Sequence, residues 1–153
     1  MVLCKMDNME QSLIEIYKRI ENKIGLEIEH IEKIVLAHFI LKNDVLELIE
    51  SVSTKNFKEE KHQIIFTGLL NLFDIGLPID KSNLINELTP NHKWVKTYLD
   101  SLEERLLTPE ELTQHLKSII DFSIKRDIIE SSYKTMEMII HKQNSNKILD
   151  SIE

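Results

Sequence analysis

The chain predicts an all-α fold, a globular helical bundle followed by a helical hairpin, and three observations carry that prediction. Backbone breakers are scarce, with Gly 3 and Pro 3 in 153 residues, so helix can propagate over long stretches. Apolar residues recur at steps of three and four, the period of a helix face. The last long pattern, starting at Thr108, carries two apolar stripes where a helix lying on a body needs one.

The elements follow in order. Leu13, Ile16, Tyr17, Ile20 and Ile24 make one face of an amphipathic helix over 11–23, and Gly25 is expected to end it. A second helix over 27–41 has Ile28, Ile31, Ile34, Val35, Phe39 and Ile40, too many for one narrow stripe, which places it at the centre of the core. Asn43 or Asp44 caps a short helix reaching Ile49, its side-chain oxygen accepting from a first-turn N–H. Ser51, Ser53, Thr54 and Asn56 form a loop. A helix over 58–75 then turns Ile65, Phe66, Leu69, Leu70, Leu72 and Phe73 inward.

Gly76 stops that helix, Pro78 keeps the next step extended and Asp80 caps a helix carrying Leu84, Ile85 and Leu88. Pro90 breaks it. Trp94, Val95, Tyr98, Leu99 and Leu102 line one face of the next. Thr108-Pro109-Glu110-Glu111 is a helix start: threonine caps, proline suits the first position, and the carboxylates favour the positive end of the helix.

From there the pattern is helical to about residue 143. One stripe is Leu112, Leu116, Ile120, Ile124 and Ile128. The other is Ile119, Phe122, Ile129, Tyr133, Met136 and Ile140, interrupted by Arg126. The first half of this helix is expected to pack on the body and the second to project as an arm in need of a partner. Asn144, Ser145 and Asn146 read as a polar turn, and 147–153 as the start of a second arm with Ile148, Leu149 and Ile152 inward. The division is therefore an N-terminal extension over 1–26 with its own amphipathic helix, a globular bundle over 27–107, and a hairpin over 108–153 whose second arm is cut short and leads to a linker. Phe122, Ile129, Tyr133, Met136 and Ile140 are the candidate protein interface.

Chemistry of other kinds is excluded step by step. Hydrophobic residues at 42% and charged residues at 29% describe a chain able to bury a core. A net charge of −7 repels a nucleic-acid backbone, and Lys125-Arg126 is too small a basic group to reverse that, so weak or no DNA binding is expected. One cysteine, Cys4, permits no internal disulfide and fits a cytoplasmic setting. No apolar run reaches the length of a membrane span, so no membrane partner is expected. The glycines are isolated and each precedes a leucine, so there is no phosphate-binding loop. The six histidines include no pair at metal-ligand spacing and read as surface or helix-packing residues. Neighbouring glutamates diverge around a helix and make no acid/base pair. No catalytic residue, cofactor or metal is expected, and the chain is not an enzyme on its own.

Phe57, with His62 after four residues, then Ile65-Phe66, a helix through Leu72 and Gly76-Leu77-Pro78-Ile79-Asp80 leading to Leu84 and Leu88, resembles the N-terminal domain of the DnaB-type replicative helicases. Glu32 to Leu36 is similar to that family's first core helix, Ser123 to Ile129 to its long hairpin helix, and Ile148 to Glu153 to its second hairpin arm. The resemblance covers 28–153. It departs at Ala37, where the family often has glycine, at Asn56 and Lys58 around Phe57, and in the unusual leading segment 1–27. It implies a bundle plus hairpin that self-associates into the collar of a hexameric ring and receives primase, with the ATPase in a separate C-terminal domain. The helicase-binding C-terminal domain of bacterial DnaG primase has the same architecture and stands as the alternative, with helicase as its partner.

Overall fold

The computed structural model describes residues 2–42 and 49–152, with side chains over 8–42 and 49–146. Among these the chain is helical and contains no strand. Among the described residues five α-helices follow one another: α1 (Val2–Leu41), α2 (Glu60–Asp74), α3 (Lys81–Leu88), α4 (Val95–Ser101) and α5 (Pro109–Ile152), with a 3₁₀ turn at Thr54–Asn56 before α2. The short helix capped by Asn43 or Asp44 falls outside the described residues except at its end, where Ile49 is buried.

The body is built around the second half of α1, whose Ile28, Val35, Leu36 and Phe39 meet Phe57, Ile65, Phe66, Leu69 and Leu72 from the α2 side. Leu84 and Leu88 of α3 and Val95 and Leu99 of α4 close it, and Leu112, Leu116 and Ile119 bring the first turns of α5 into the same core. Phe57 and Phe66 stack with ring centroids 4.8 Å apart. The helix ends follow the residues expected to make them. The Asp80 carboxylate accepts from the Asn83 N–H at 2.7 Å, and Thr108 Oγ1 from the Glu111 N–H at 3.2 Å. At the end of α2 the Leu77 N–H reaches the Leu72 carbonyl at 3.0 Å and the Gly76 N–H that of Phe73 at 3.1 Å, the paired bonds of a Schellman ending, with Gly76 at φ 74.

Two expected breaks are absent. Gly25 does not end a helix: α1 runs through it for 40 residues. Gly25 is buried, and a methyl group on its Cα would meet the end of the Lys58 side chain, so the glycine answers a close approach rather than a turn. Asn144-Ser145-Asn146 is not a turn either, because α5 continues through it to Ile152, 44 residues in all. Neither Gly nor Pro occurs there to break it, and an asparagine costs an exposed helix only a fraction of a kcal/mol, about 0.7 at most.

The hairpin is made differently. At about 1.5 Å per residue α5 is roughly 66 Å long, and the first half of α1 runs back along its distal half. The direction is read from three points: His38 of α1 bonds the Leu107 N–H just ahead of α5, Tyr17 shares a groove with Ile129 and Tyr133, and Glu10 acts on the Tyr133 phenol. The pair is antiparallel. Among the described residues, α1 and α5 form the most extensive packing of any two elements.

Candidate interaction site

The arm arises from two helices that each outrun the body. On α5, Phe122, Ile129, Tyr133, Met136 and Ile140 are half-buried and lie on one face. On α1 the half-buried positions are Glu10, Ile14, Tyr17 and Ile24, again at steps of three and four, so the two stripes form a single antiparallel seam. Of the five residues expected to meet a partner, Phe122 packs on the core cluster and Ile129 and Tyr133 share a groove with α1, while Met136 and Ile140 lie half-buried on the same face. Phe122 sits at the root against the core cluster, with the Lys125 ammonium 5.3 Å from its ring centroid. Ile129 and Tyr133 line a groove of about 160 Å³ with Ile14, Tyr17, Lys18, Glu21 and Glu130. The Glu137 carboxylate beside it, partial burial and Glu10 across the seam together raise the Tyr133 phenol above its ordinary range.

Arg126, which interrupts the apolar stripe in sequence, anchors the arm's root. Its guanidinium donates to the Asn56 carbonyl at 3.0 Å, and the Asn56 amide donates to Ser123 Oγ at 3.3 Å. The 3₁₀ turn therefore ties the body to α5 where α5 leaves it.

What the seam leaves outside is apolar. Of the thirteen large hydrophobic side chains exposed among the described residues, eight are on the arm: Met9, Leu13, Ile16 and Ile20 on α1, and Ile124, Ile128, Met138 and Ile139 on α5. Ile124 and Ile128 belong to the stripe expected to pack on the body, but only Leu112 and Leu116 of that stripe are buried and Ile120 partly so. The sequence carries the signal for the α1 row, since Leu13, Ile16 and Ile20 fall on one helix face. Its position outside the seam depends on where α5 lies.

A second constellation lies inside the body. His62 and Glu32 are both fully buried, with Nδ1 2.8 Å from Glu32 Oε1, and His62 Nε2 is 2.5 Å from the Tyr98 hydroxyl. The same carboxylate accepts the Lys58 N–H at 2.8 Å and the Glu59 N–H at 3.3 Å. With the Glu32 carboxylate acting as acceptor, Nδ1 carries the proton that faces it, and the ring bridges Glu32 to the Tyr98 hydroxyl. Burial, followed by Glu29, Glu59 and Glu32, pushes the Tyr98 phenol up to about 12. The Lys61 ammonium lies 5.2 Å from the Trp94 ring centroid and 5.3 Å from that of Tyr98. This set joins α1, α2 and α4 and is closed to solvent at its centre, which suits a structural tie rather than a reacting site. The sequence signal was an acid, Glu32, on the buried face of the helix that also holds Ile28 and Val35.

A groove of about 510 Å³ lies between the end of α1, the start of α3 and the end of α4, with the Lys81–Asp100 ion pair on its wall. Among the described residues no group of acids, histidines or cysteines has the arrangement of a metal site, and no helix is long and apolar enough to cross a membrane.

Comparison with known proteins gives a consistent result. A family model described as the DnaB-like helicase N terminal domain matches residues 26–121. The replicative DNA helicase DnaB of Helicobacter pylori strain J99 is 28% identical over 130 residues, which take in 83% of this chain and 26% of that protein. The chain thus spans about a quarter of the length of that relative. Among solved structures, the N-terminal domain of DnaB helicase from Mycobacterium tuberculosis shares the fold with a TM-score of 0.66 at 19% identity, over 74% of this chain and 84% of that one. The α1 segment that builds the arm precedes the family match, and the distal half of α5 follows it.

Proposed function

Because the chain belongs to the DnaB-like helicase N-terminal domain family, we propose that it acts as a non-catalytic interaction domain of a replicative helicase, associating with further copies through its arm and offering its body to primase. The observation that carries this reading is the arm itself: two helices extend past the body, seal one face against each other and keep eight large apolar side chains in solvent. Such a surface is costly to leave wet, at about 25 cal/mol for each Å² of apolar area, and a second apolar surface relieves that cost. Phe122, Ile129, Tyr133, Met136 and Ile140 serve the association by holding α1 and α5 in register.

Primase docking rests on the family resemblance, supported by the exposed Ile75 and Leu77 that flank Gly76 at one end of the body. The match to the helicase domain favours this side of the pair over the primase side. A net charge of −7 disfavours contact between this domain and a DNA backbone. Sedimentation velocity over a concentration series tests the central element. A mass that rises with concentration is expected, and a monomer at every concentration would overturn the reading.

A further inference from the structure

We propose that the groove where the end of α1, the start of α3 and the end of α4 meet binds an aliphatic diamine or polyamine, its methylenes on the apolar lining and its ammonium groups on the carboxylates around it. The site belongs to the body rather than the arm. It is independent of the association and docking proposed above.

The groove has the size of a small-ligand site, about 510 Å³ against the roughly 300–1,000 Å³ such sites occupy. Ala37, Ile40, Leu41, Leu99 and Leu102 make its lining apolar. Ala37 is the smallest side chain among them and only 5% exposed, so a larger residue at that point of α1 would fill the space in front of it. Leu41 stays 43% exposed, and a hydrocarbon stem laid along the lining takes such surface out of water.

Charge selects the occupant. The ionisable groups of the lining are Asp80, Lys81, Asp100 and Glu104, three carboxylates facing one ammonium. Lys81 pairs with Asp100, and its hydrogen bond holds the Asp100 carboxyl below the ordinary carboxylate range. Asp80 accepts the Asn83 N–H at 2.7 Å, a neutral donor that leaves its charge uncompensated. Glu104 stands exposed just past the end of α4. No cation of the lining remains for these two acids. The last turns of α1 and α4 also border the groove, and the negative ends of their backbone dipoles add to the same sign.

Two cationic centres joined by methylenes meet both properties at once. A metal dication would match the charge and leave the lining wet, whereas an uncharged hydrocarbon would match the lining and leave the acids alone. Lys81 already shows the local chemistry, an ammonium on an alkyl stem reaching a carboxylate of the same groove.

The test is a chain-length series in the full chain at constant ionic strength, read from amide chemical shifts. The terminal diamines of butane, hexane and octane carry equal charge and differ in methylenes alone. Magnesium ion and octanediol are the charge-only and apolar-only probes. Affinity should rise at least about threefold from butane to octane diamine as more methylenes leave water, with shifts centred on Ala37, Ile40, Leu99 and Leu102, and both probes should bind more weakly than the octane diamine. Glu104→Gln, a change at an exposed position, should weaken the octane diamine about two- to fivefold, and Glu110→Gln, outside the groove, should leave it unchanged. Ala37→Leu should block the whole series; if that variant fails to fold, Glu104→Gln decides. Affinity that is flat with chain length, that magnesium matches, or that responds equally to Glu104→Gln and Glu110→Gln would reveal a diffuse counter-ion atmosphere and overturn the site, as would shifts centred elsewhere.

Discussion

Glu32 has no exposure to solvent, and three donors satisfy its carboxylate: the Lys58 N–H, the Glu59 N–H and His62 Nδ1. Removing the imidazole leaves a buried acceptor short of its main side-chain partner, so His62→Ala should destabilise the fold by about 3–5 kcal/mol in chemical denaturation. The phenol at the other end gives a pH signature. Its folded value of about 12 lies above the ordinary 10.0, so the folded state holds the Tyr98 proton more tightly than the unfolded chain does. The associated stability is complete below pH 10 and is lost as pH rises toward 12. Tyr98→Phe should flatten that decline, leaving the smaller part due to Tyr133, whose phenol is raised in the same direction. The sequence shows Glu32 on a buried helix face but not what it meets, because His62, Glu32 and Tyr98 come from three separate helices. Their meeting is a product of tertiary packing.

At the scale of the element, most helices follow from local signals: Asp80 caps α3, Thr108-Pro109 opens α5, and Gly76 closes α2 in a left-handed conformation. Gly25 looks the same in sequence but behaves differently, because its helix is held on both sides by tertiary contacts that outweigh the roughly 1 kcal/mol a mid-helix glycine costs. The two glycines should therefore respond oppositely to alanine. Gly76→Ala forces a Cβ into φ 74 and should cost about 1 kcal/mol. Gly25→Ala displaces only the flexible end of Lys58 and should be neutral or stabilising by up to about 1 kcal/mol. Thermal melts of the two variants measured side by side check the contrast. Asn144 to Asn146 misled for a related reason: polar residues that favour turns also sit comfortably on an exposed helix surface when no breaker accompanies them.

At the scale of the whole molecule, the apolar surplus of the last helix was visible in sequence, and so was the leading amphipathic helix. Their mutual pairing was not, since it joins residues more than a hundred positions apart and no local pattern encodes it. The surplus moved as a result. Tyr133 shares a groove with α1, Met136 is half-buried on the same face, and the exposed faces are those of Ile16, Ile20, Ile128 and Ile139. The body and the arm are thus assembled by the same two helices, α1 and α5, one half of each lying in the core and the other forming the arm with its exposed apolar faces.

Intermolecular paramagnetic relaxation tests that account most directly. A nitroxide on Lys23→Cys, at the end of the α1 row in a Cys4→Ser background, is mixed with an isotopically labelled, spin-free copy. The account predicts signal loss in the labelled copy along residues 9–20 and 128–139. Loss confined to the body, or no loss at concentrations where the chain sediments as more than a monomer, would contradict it.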